Sequence, residues 1–207
     1  MVVVTTNYKP MNIVSANQHQ KLMEASMIIA PVLFGISTFY WQNYEYRVVA
    51  ATLIVIASVF WIPALAGIFG LLKQQMPWYY AIGLFIALYG ASVGSIGFAL
   101  PGYFSTVFHI PHTNYIKALA AYPVSSGLLI FWPGPLFPLS LLILGINLAR
   151  KKTITLWLCI MLSLSGMIFP LGRILRIEWV AHITDLLLAI PFVVIGIRFI
   201  KEKNAAQ

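Results

Sequence analysis

The chain has 207 residues, of which 60% are hydrophobic and only 9% are charged, with a formal net charge of +8. Soluble domains carry about 25% charged residues because their surfaces face water, so the composition excludes an ordinary water-soluble domain. The single cysteine, Cys159, excludes an internal disulfide and a thiolate metal cluster. Since the basic residues form neither a groove nor one helix face, we expect no binding of nucleic acid.

Six apolar runs follow one another along the chain, each near the roughly 20 residues needed to cross a bilayer. They are continuously apolar rather than alternating, which favours helices over a transmembrane barrel. We place them at residues 24–41, 48–72, 77–100, a run ending at 149, 153–171 and 179–200. The sequence therefore predicts an all-α, polytopic integral membrane protein. It forms one domain over residues 1–207, a compact bundle of about six transmembrane helices.

Three segments are expected to lie outside the bundle. Residues 1–23 form a polar N-terminal tail without the basic-then-apolar order of a cleavable signal peptide, and residues 201–207 form a C-terminal tail. Between the third and fourth runs, residues 101–134 are rich in proline. Because proline interrupts a helix, we expect the fourth helix not to extend much before Pro135. Residues 101–134 are then predicted to form a Pro-rich outer loop or cap.

The third run contains a pair of glycines, Gly90 and Gly94, at the spacing that lets two membrane helices approach closely. Such a pair serves packing within the monomer or contact with a second copy in a homo-oligomer. Packing within the monomer is the preferred interpretation.

The distribution of basic residues predicts the orientation, because cytoplasmic loops carry an excess of Lys and Arg. With six spans, nine of the 13 basic residues fall on the side of both termini. These nine are Lys9, Lys21, Lys73, Arg150, Lys151, Lys152, Arg198, Lys201 and Lys203. We therefore expect a multi-pass protein of the cell inner or plasma membrane with cytoplasmic N- and C-termini. The Arg150-Lys151-Lys152 turn is expected to meet anionic lipid headgroups.

Ionisable residues are costly inside a membrane protein and often mark a site. In this chain they concentrate on the predicted outer side. His182 and Asp185 are three residues apart, which places them on one helix face. The candidate ligand-binding residues are His109, His112, Arg173, Arg176, His182 and Asp185.

Four interpretations of these residues remain open. Two histidines with nearby arginines could hold a b-type haem. His109, His112 and a carboxylate could bind a metal ion, which would allow a hydrolytic or redox enzyme. His182 and Asp185 could exchange protons along a solute path, or Arg173, Arg176, Glu178, His182 and Asp185 could form a salt-bridge cluster that holds the last two spans together.

No nucleophile elbow, phosphate-binding loop or His-Glu-x-x-His zinc motif occurs in the sequence. We expect a non-enzymatic accessory or small-molecule-binding component with its polar site on the outer face. The alternative is a haem- or metal-binding membrane redox protein or enzyme that uses the outer-face histidines. The expected partners are the lipid bilayer and either a second copy of the chain or another membrane-complex subunit.

Overall fold

A computed structural model describes the backbone of residues 13–41 and 45–205, and the side chains of that part except at 13–17, 112, 174 and 202–205. The described residues form seven helices and no strand. They are α1 (Ile13–Thr38), α2 (Val48–Gly70), α3 (Pro77–Val107), α4 (His112–Leu119), α5 (Pro123–Arg150), α6 (Leu156–Arg173) and α7 (Glu178–Ala205). All but the short α4 are long and apolar enough to cross a membrane. The prediction of an all-helical chain with six such helices is confirmed.

The six long helices pack in chain order, and the last closes onto the first. Each packs mainly on the helix before it and the helix after it, and α7 packs against α1. We call the end of the bundle that holds residues 39–41, 45–47, 108–122 and 174–177 the outer end, and the opposite end the inner end. Because the chain alternates direction, residues that are distant in sequence meet at the outer end of α1, α6 and α7.

Glycines set the closest helix contacts. A side chain at Gly90, Gly94 or Gly97 of α3 would collide with the backbone of α5 between Leu129 and Phe137. The expectation that Gly90 and Gly94 serve packing within the monomer is therefore confirmed. Backbones at this distance gain dispersion contacts over a long stretch without a side chain between them.

Aromatic rings fill the centre of the bundle. The rings of Phe34 in α1 and Trp61 in α2 lie 6.0 Å apart, and Trp61 is 4.9 Å from Phe192 in α7 and 5.2 Å from Phe137 in α5. Phe169 in α6 stacks on Phe34 at 6.0 Å. Edge-to-face and offset contacts at these distances are favourable, and the bundle is solid at mid-height.

The fourth long helix continues through its prolines by means of a wide turn. Residues Gly127–Phe131 form a π-turn in which the Trp132 N–H donates to the carbonyl of Gly127 at 2.8 Å. The α-helical donor to the Leu128 carbonyl would be the Trp132 N–H, which donates to Gly127 instead, and the next residue, Pro133, has no N–H. The hydroxyl of Tyr89 in α3 donates to that carbonyl instead. A neighbouring side chain thus satisfies the group that the proline leaves open.

The helix bounds differ from the expected ones at several ends. The third helix passes through Pro101 to Val107, and the fourth begins at Pro123 rather than near Pro135. The residues between them are therefore 108–122, of which α4 forms the middle, and not the whole of 101–134. The first helix begins at Ile13, inside the expected tail 1–23, and α7 runs into the expected tail 201–207. Residues 1–12, 206 and 207 lie outside the described residues.

Replacing Gly90 with Ala is expected to destabilise the bundle by about 1–3 kcal/mol, because the new methyl group must push α5 away. Thermal unfolding in detergent measures the effect. Gly70→Ala is the matched control, since a methyl group there meets nothing within 4 Å. Equal melting temperatures for the two variants would contradict the close packing of α3 on α5.

Candidate functional site

A buried ion pair lies at the outer end of the bundle. Arg173 stands at the end of α6 and Asp185 lies two turns into α7. The Arg173 Nε donates to Asp185 Oδ1 at 3.0 Å, and Nη2 lies 2.9 Å from both carboxylate oxygens. The side chains are 3% and 5% exposed. A two-pronged guanidinium–carboxylate contact is among the stronger polar interactions available to side chains.

The same guanidinium reaches across the bundle to α1 and to the connection after it. Nη2 donates to the backbone carbonyl of Phe34 at 2.6 Å, and Nη1 donates to the hydroxyl of Tyr46 at 3.2 Å. The guanidinium carbon lies 3.7 Å from the centre of the Phe34 ring, a favourable cation–π contact. Arg173 therefore joins α1, α6, α7 and the residues that lead into α2.

Thr38 and His182 extend the network towards the outer surface. The Thr38 hydroxyl oxygen lies 3.1 Å from Asp185 Oδ2, 3.0 Å from His182 Nδ1 and 2.8 Å from the Gly35 carbonyl. A hydroxyl has a single proton to donate. The contacts with His182 and Asp185 are both satisfied when His182 Nδ1 carries a proton and donates to Thr38, which in turn donates to the carboxylate.

The His182 ring is held on its other sides as well. It stacks on Phe39 with ring centres 4.2 Å apart, and its Nε2 lies 4.0 Å from a carboxylate oxygen of Glu178. The Thr38 hydroxyl thus contacts Nδ1 and the Phe39 ring covers one face of the imidazole, while Nε2 makes only a long contact with Glu178.

Tyr46 closes the network from the side of α3. Its side chain is 2% exposed, and burial raises the pKa of the Tyr46 phenol although Arg173 opposes the shift. A neutral phenol accepts the hydrogen bond from Arg173 without adding a second negative charge. Its backbone carbonyl lies directly against Gly102, where a side chain would collide with it. The connection between α1 and α2 is thus fixed to α3.

A small cavity of about 30 Å³ lies beside Arg173, next to the central aromatic rings. Arg173, Tyr46 and Ser95 supply its polar lining, and the other lining residues include Phe34, Phe98 and Phe169. This is room for about one water molecule.

The six candidate residues do not form one cluster. Arg173, His182 and Asp185 meet as predicted, and the Arg176 guanidinium lies at the edge of the network, 5.8 Å from the Tyr46 ring centre. His109 lies beyond the end of α3, exposed and in the left-handed backbone region with a φ of 55°. His112 begins α4, but its side chain lies outside the described residues.

The structure adds Phe34, Thr38 and Tyr46 to the residues found from the sequence. Thr38 and Tyr46 are common residue types near a membrane interface, so neither attracts notice alone. The available signal was the polar pair Ser37-Thr38 at the outer end of an apolar run. The contribution of Phe34 is a backbone carbonyl, which no sequence pattern reveals.

Among the described side chains, no three His, Cys, Asp or Glu residues come close enough together to hold a metal ion. The buried polar groups around Arg173 form hydrogen bonds with one another. The arrangement is suited to holding helices in register.

Comparisons of the chain with protein-family models, with curated proteins and with solved structures give no match. Any assignment of function therefore depends on the geometry above.

Asp185→Asn is expected to destabilise the protein by about 3–5 kcal/mol, because it leaves the Arg173 charge buried without its counter-ion. Glu178→Gln is the control, since Glu178 is 55% exposed and its contact with His182 is long; that change should cost less than about 1 kcal/mol. Denaturant or thermal unfolding in detergent measures both.

The double variant Arg173→Met with Asp185→Leu tests whether the loss of stability in Asp185→Asn comes from the unpaired buried charge or from any substitution at this site. Because it buries no charge, it should be more stable than Asp185→Asn. If Asp185→Asn unfolds no more easily than Glu178→Gln, the ion pair does not hold the outer end together.

Proposed function

We propose that this chain is a non-enzymatic integral membrane protein that acts as an accessory subunit and meets its partner at the outer face. The observation that carries the proposal is the solid bundle with its self-satisfied polar network. An enzyme or carrier needs convergent groups beside a cavity that admits a substrate. The cavity beside Arg173 has room for about one water molecule.

The surface proposed for contact with a partner is the turn between α6 and α7. We call Leu175, Arg176, Ile177, Glu178, Trp179 and His182 the outer patch; together they line an open depression of about 930 Å³. Leu175 is 64% exposed and Trp179 is 68% exposed. An exposed tryptophan beside aliphatic and charged side chains is typical of binding hot spots.

The buried network gives the outer patch a rigid support. Residues of the patch lie between Arg173 and Asp185 in the sequence, and His182 belongs both to the patch and to the network. A preorganised surface loses little conformational entropy when it binds. This favours a binding role for the patch over that of a mobile connection.

The open shape of the depression also favours a second candidate, the binding of a small amphipathic molecule. Its lining combines three apolar side chains with Arg176, Glu178 and His182. A ligand with an apolar body and a polar headgroup would match both parts. Such a molecule would remain with the protein after gentle purification, and mass spectrometry of an extract would identify it.

The proposed location is the cell inner or plasma membrane, with both termini in the cytoplasm and the outer patch on the opposite side. The excess of basic residues on the side of the termini supports this orientation.

Cysteine labelling tests the orientation. In a Cys159→Ala background, Lys117→Cys should react with an impermeant maleimide on intact cells, because Lys117 is exposed at the outer end. Lys151→Cys, exposed at the inner end, should react only after the membrane is made permeable. The reverse pattern would place the termini outside.

Site-specific crosslinking in native membranes tests the accessory role. A photoreactive phenylalanine in place of Trp179 should give one discrete protein adduct, and the same probe in place of Trp132 should give none. Trp132 is the control because it is also an exposed tryptophan, at 61%, on the outer half of α5. Adding Glu178→Lys should remove the adduct, since it reverses a charge of the patch. An adduct with a second copy of this chain would identify the partner as a homo-oligomer.

Adducts with lipid alone at Trp179 would contradict the accessory role. An absorption spectrum and metal analysis of the purified protein test the competing redox class. A Soret band or a stoichiometric metal would replace the non-enzymatic proposal with a cofactor-dependent one.

A further inference from the structure

A shallow groove runs between α5 and α6 on the outside of the bundle, towards the inner end. It has a volume of about 320 Å³ and combines apolar side chains with one cation, Arg150. We call it the α5–α6 groove; its lining residues are Gly145, Ile146, Ala149, Arg150, Cys159, Ile160, Ser163 and Leu164. It lies on a different face from the outer patch and takes no part in the proposed accessory contact.

The floor of the groove is formed by close helix packing. A side chain at Gly145 would collide with Ser163 and with the backbone of Cys159. The two helices therefore touch at Gly145, and no side chain of that residue fills the groove. Ile146 and Ile160 form the rims and are 47% and 49% exposed. From Gly145 to Arg150 the groove follows about 7.5 Å of helix rise. The exposed surface of its walls is almost entirely apolar.

Basic residues gather where the groove reaches the inner end. Arg150, Lys151 and Lys152 are consecutive and exposed. A fourth cation comes from α7, because Arg198 Nη1 donates to the hydroxyl of Thr155 at 3.2 Å, at the start of α6. The helices α5 and α6 carry no acidic residue, because the chain has no Asp or Glu between Glu45 and Glu178.

The position of Trp157 indicates that these cations lie at the depth of the lipid headgroups. It lies one residue into α6 and is 44% exposed, as tryptophans at the level of lipid headgroups commonly are. The groove therefore begins at headgroup depth and continues into the apolar layer.

We propose that the α5–α6 groove binds one anionic phospholipid. The phosphate meets Arg150, Lys151, Lys152 and Arg198, and one acyl chain lies between Ile146 and Ile160. The charge of the basic turn selects an anionic headgroup over a zwitterionic one, since each basic residue near the surface contributes about 1 kcal/mol. The groove also contacts the acyl chain of the lipid. A diffuse electrostatic attraction to the membrane surface would not provide that contact.

Native mass spectrometry in detergent, with titrated phosphatidylglycerol or phosphatidylcholine, tests the proposal. The wild-type protein should retain one phosphatidylglycerol at least tenfold more tightly than phosphatidylcholine. Replacing Arg150, Lys151 and Lys152 with Gln should abolish that preference. Among single changes, Lys151→Gln should weaken phosphatidylglycerol binding more than Lys73→Gln, the control on the other inner connection.

A second pair of variants tests the groove itself. Ile146→Trp places a bulky ring in it and should weaken phosphatidylglycerol binding several-fold. Ile82→Trp is the control, because Ile82 is an equally lipid-accessible isoleucine (57% exposed) in another groove, between α3 and α5. Melting temperatures close to wild type establish that both variants are folded.

Three results would overturn the proposal: equal affinity for the two lipids, full retention of phosphatidylglycerol by the triple Gln variant, or the same effect from Ile146→Trp and Ile82→Trp. A protein that occupied the groove in place of a lipid would appear as a retained polypeptide mass and would overturn it as well.

Discussion

The structure depends on one interaction, the buried contact between Arg173 and Asp185. A charge inside an apolar bundle is expensive, and a pair is tolerated only when its remaining hydrogen-bonding groups are satisfied. The carbonyl of Phe34, the hydroxyls of Thr38 and Tyr46 and the face of the Phe34 ring meet that requirement here. Since these groups come from α1, the connection after it, α6 and α7, satisfying the pair and closing the bundle are the same event. An arrangement of helices that separated these groups would leave a buried charge without its partner, so the ion pair favours this one arrangement.

Glycine contacts complete what the ion pair begins. Along α3 they bring the backbone of α5 into direct contact, and Gly145 and Gly166 do the same between α5 and α6. Gly172 brings the end of α6 against Ala181 of α7. Helices in lipid have little hydrophobic force to drive them together, so close approach of backbones has to supply the dispersion energy. The aromatic rings then fill the centre.

Because the interior of the bundle is tightly packed, both of the proposed binding surfaces lie on its outside. The outer patch joins an exposed tryptophan to charged residues directly above the rigid ion pair, and the α5–α6 groove joins apolar walls to a cluster of cations at the other end. We propose different partners for these two surfaces: a second protein for the outer patch and a negatively charged lipid for the α5–α6 groove. Both follow from the position of a few charged residues in a chain with only 9% of them.

The sequence by itself determined the number and type of the long helices, because a bilayer demands long continuous apolar runs and tolerates few charges. It also predicted that Gly90 and Gly94 serve packing and that polar residues gather at one end. Only the tertiary structure decided which of those residues meet. Thr38 and Asp185 are 147 positions apart and touch because α7 closes onto α1, whereas His109 belongs to the end of α3. Likewise, α5 passes through Pro133 because a π-turn and the Tyr89 hydroxyl satisfy the backbone. Both outcomes depend on contacts with a neighbouring helix, and the local sequence does not specify which helix will be the neighbour.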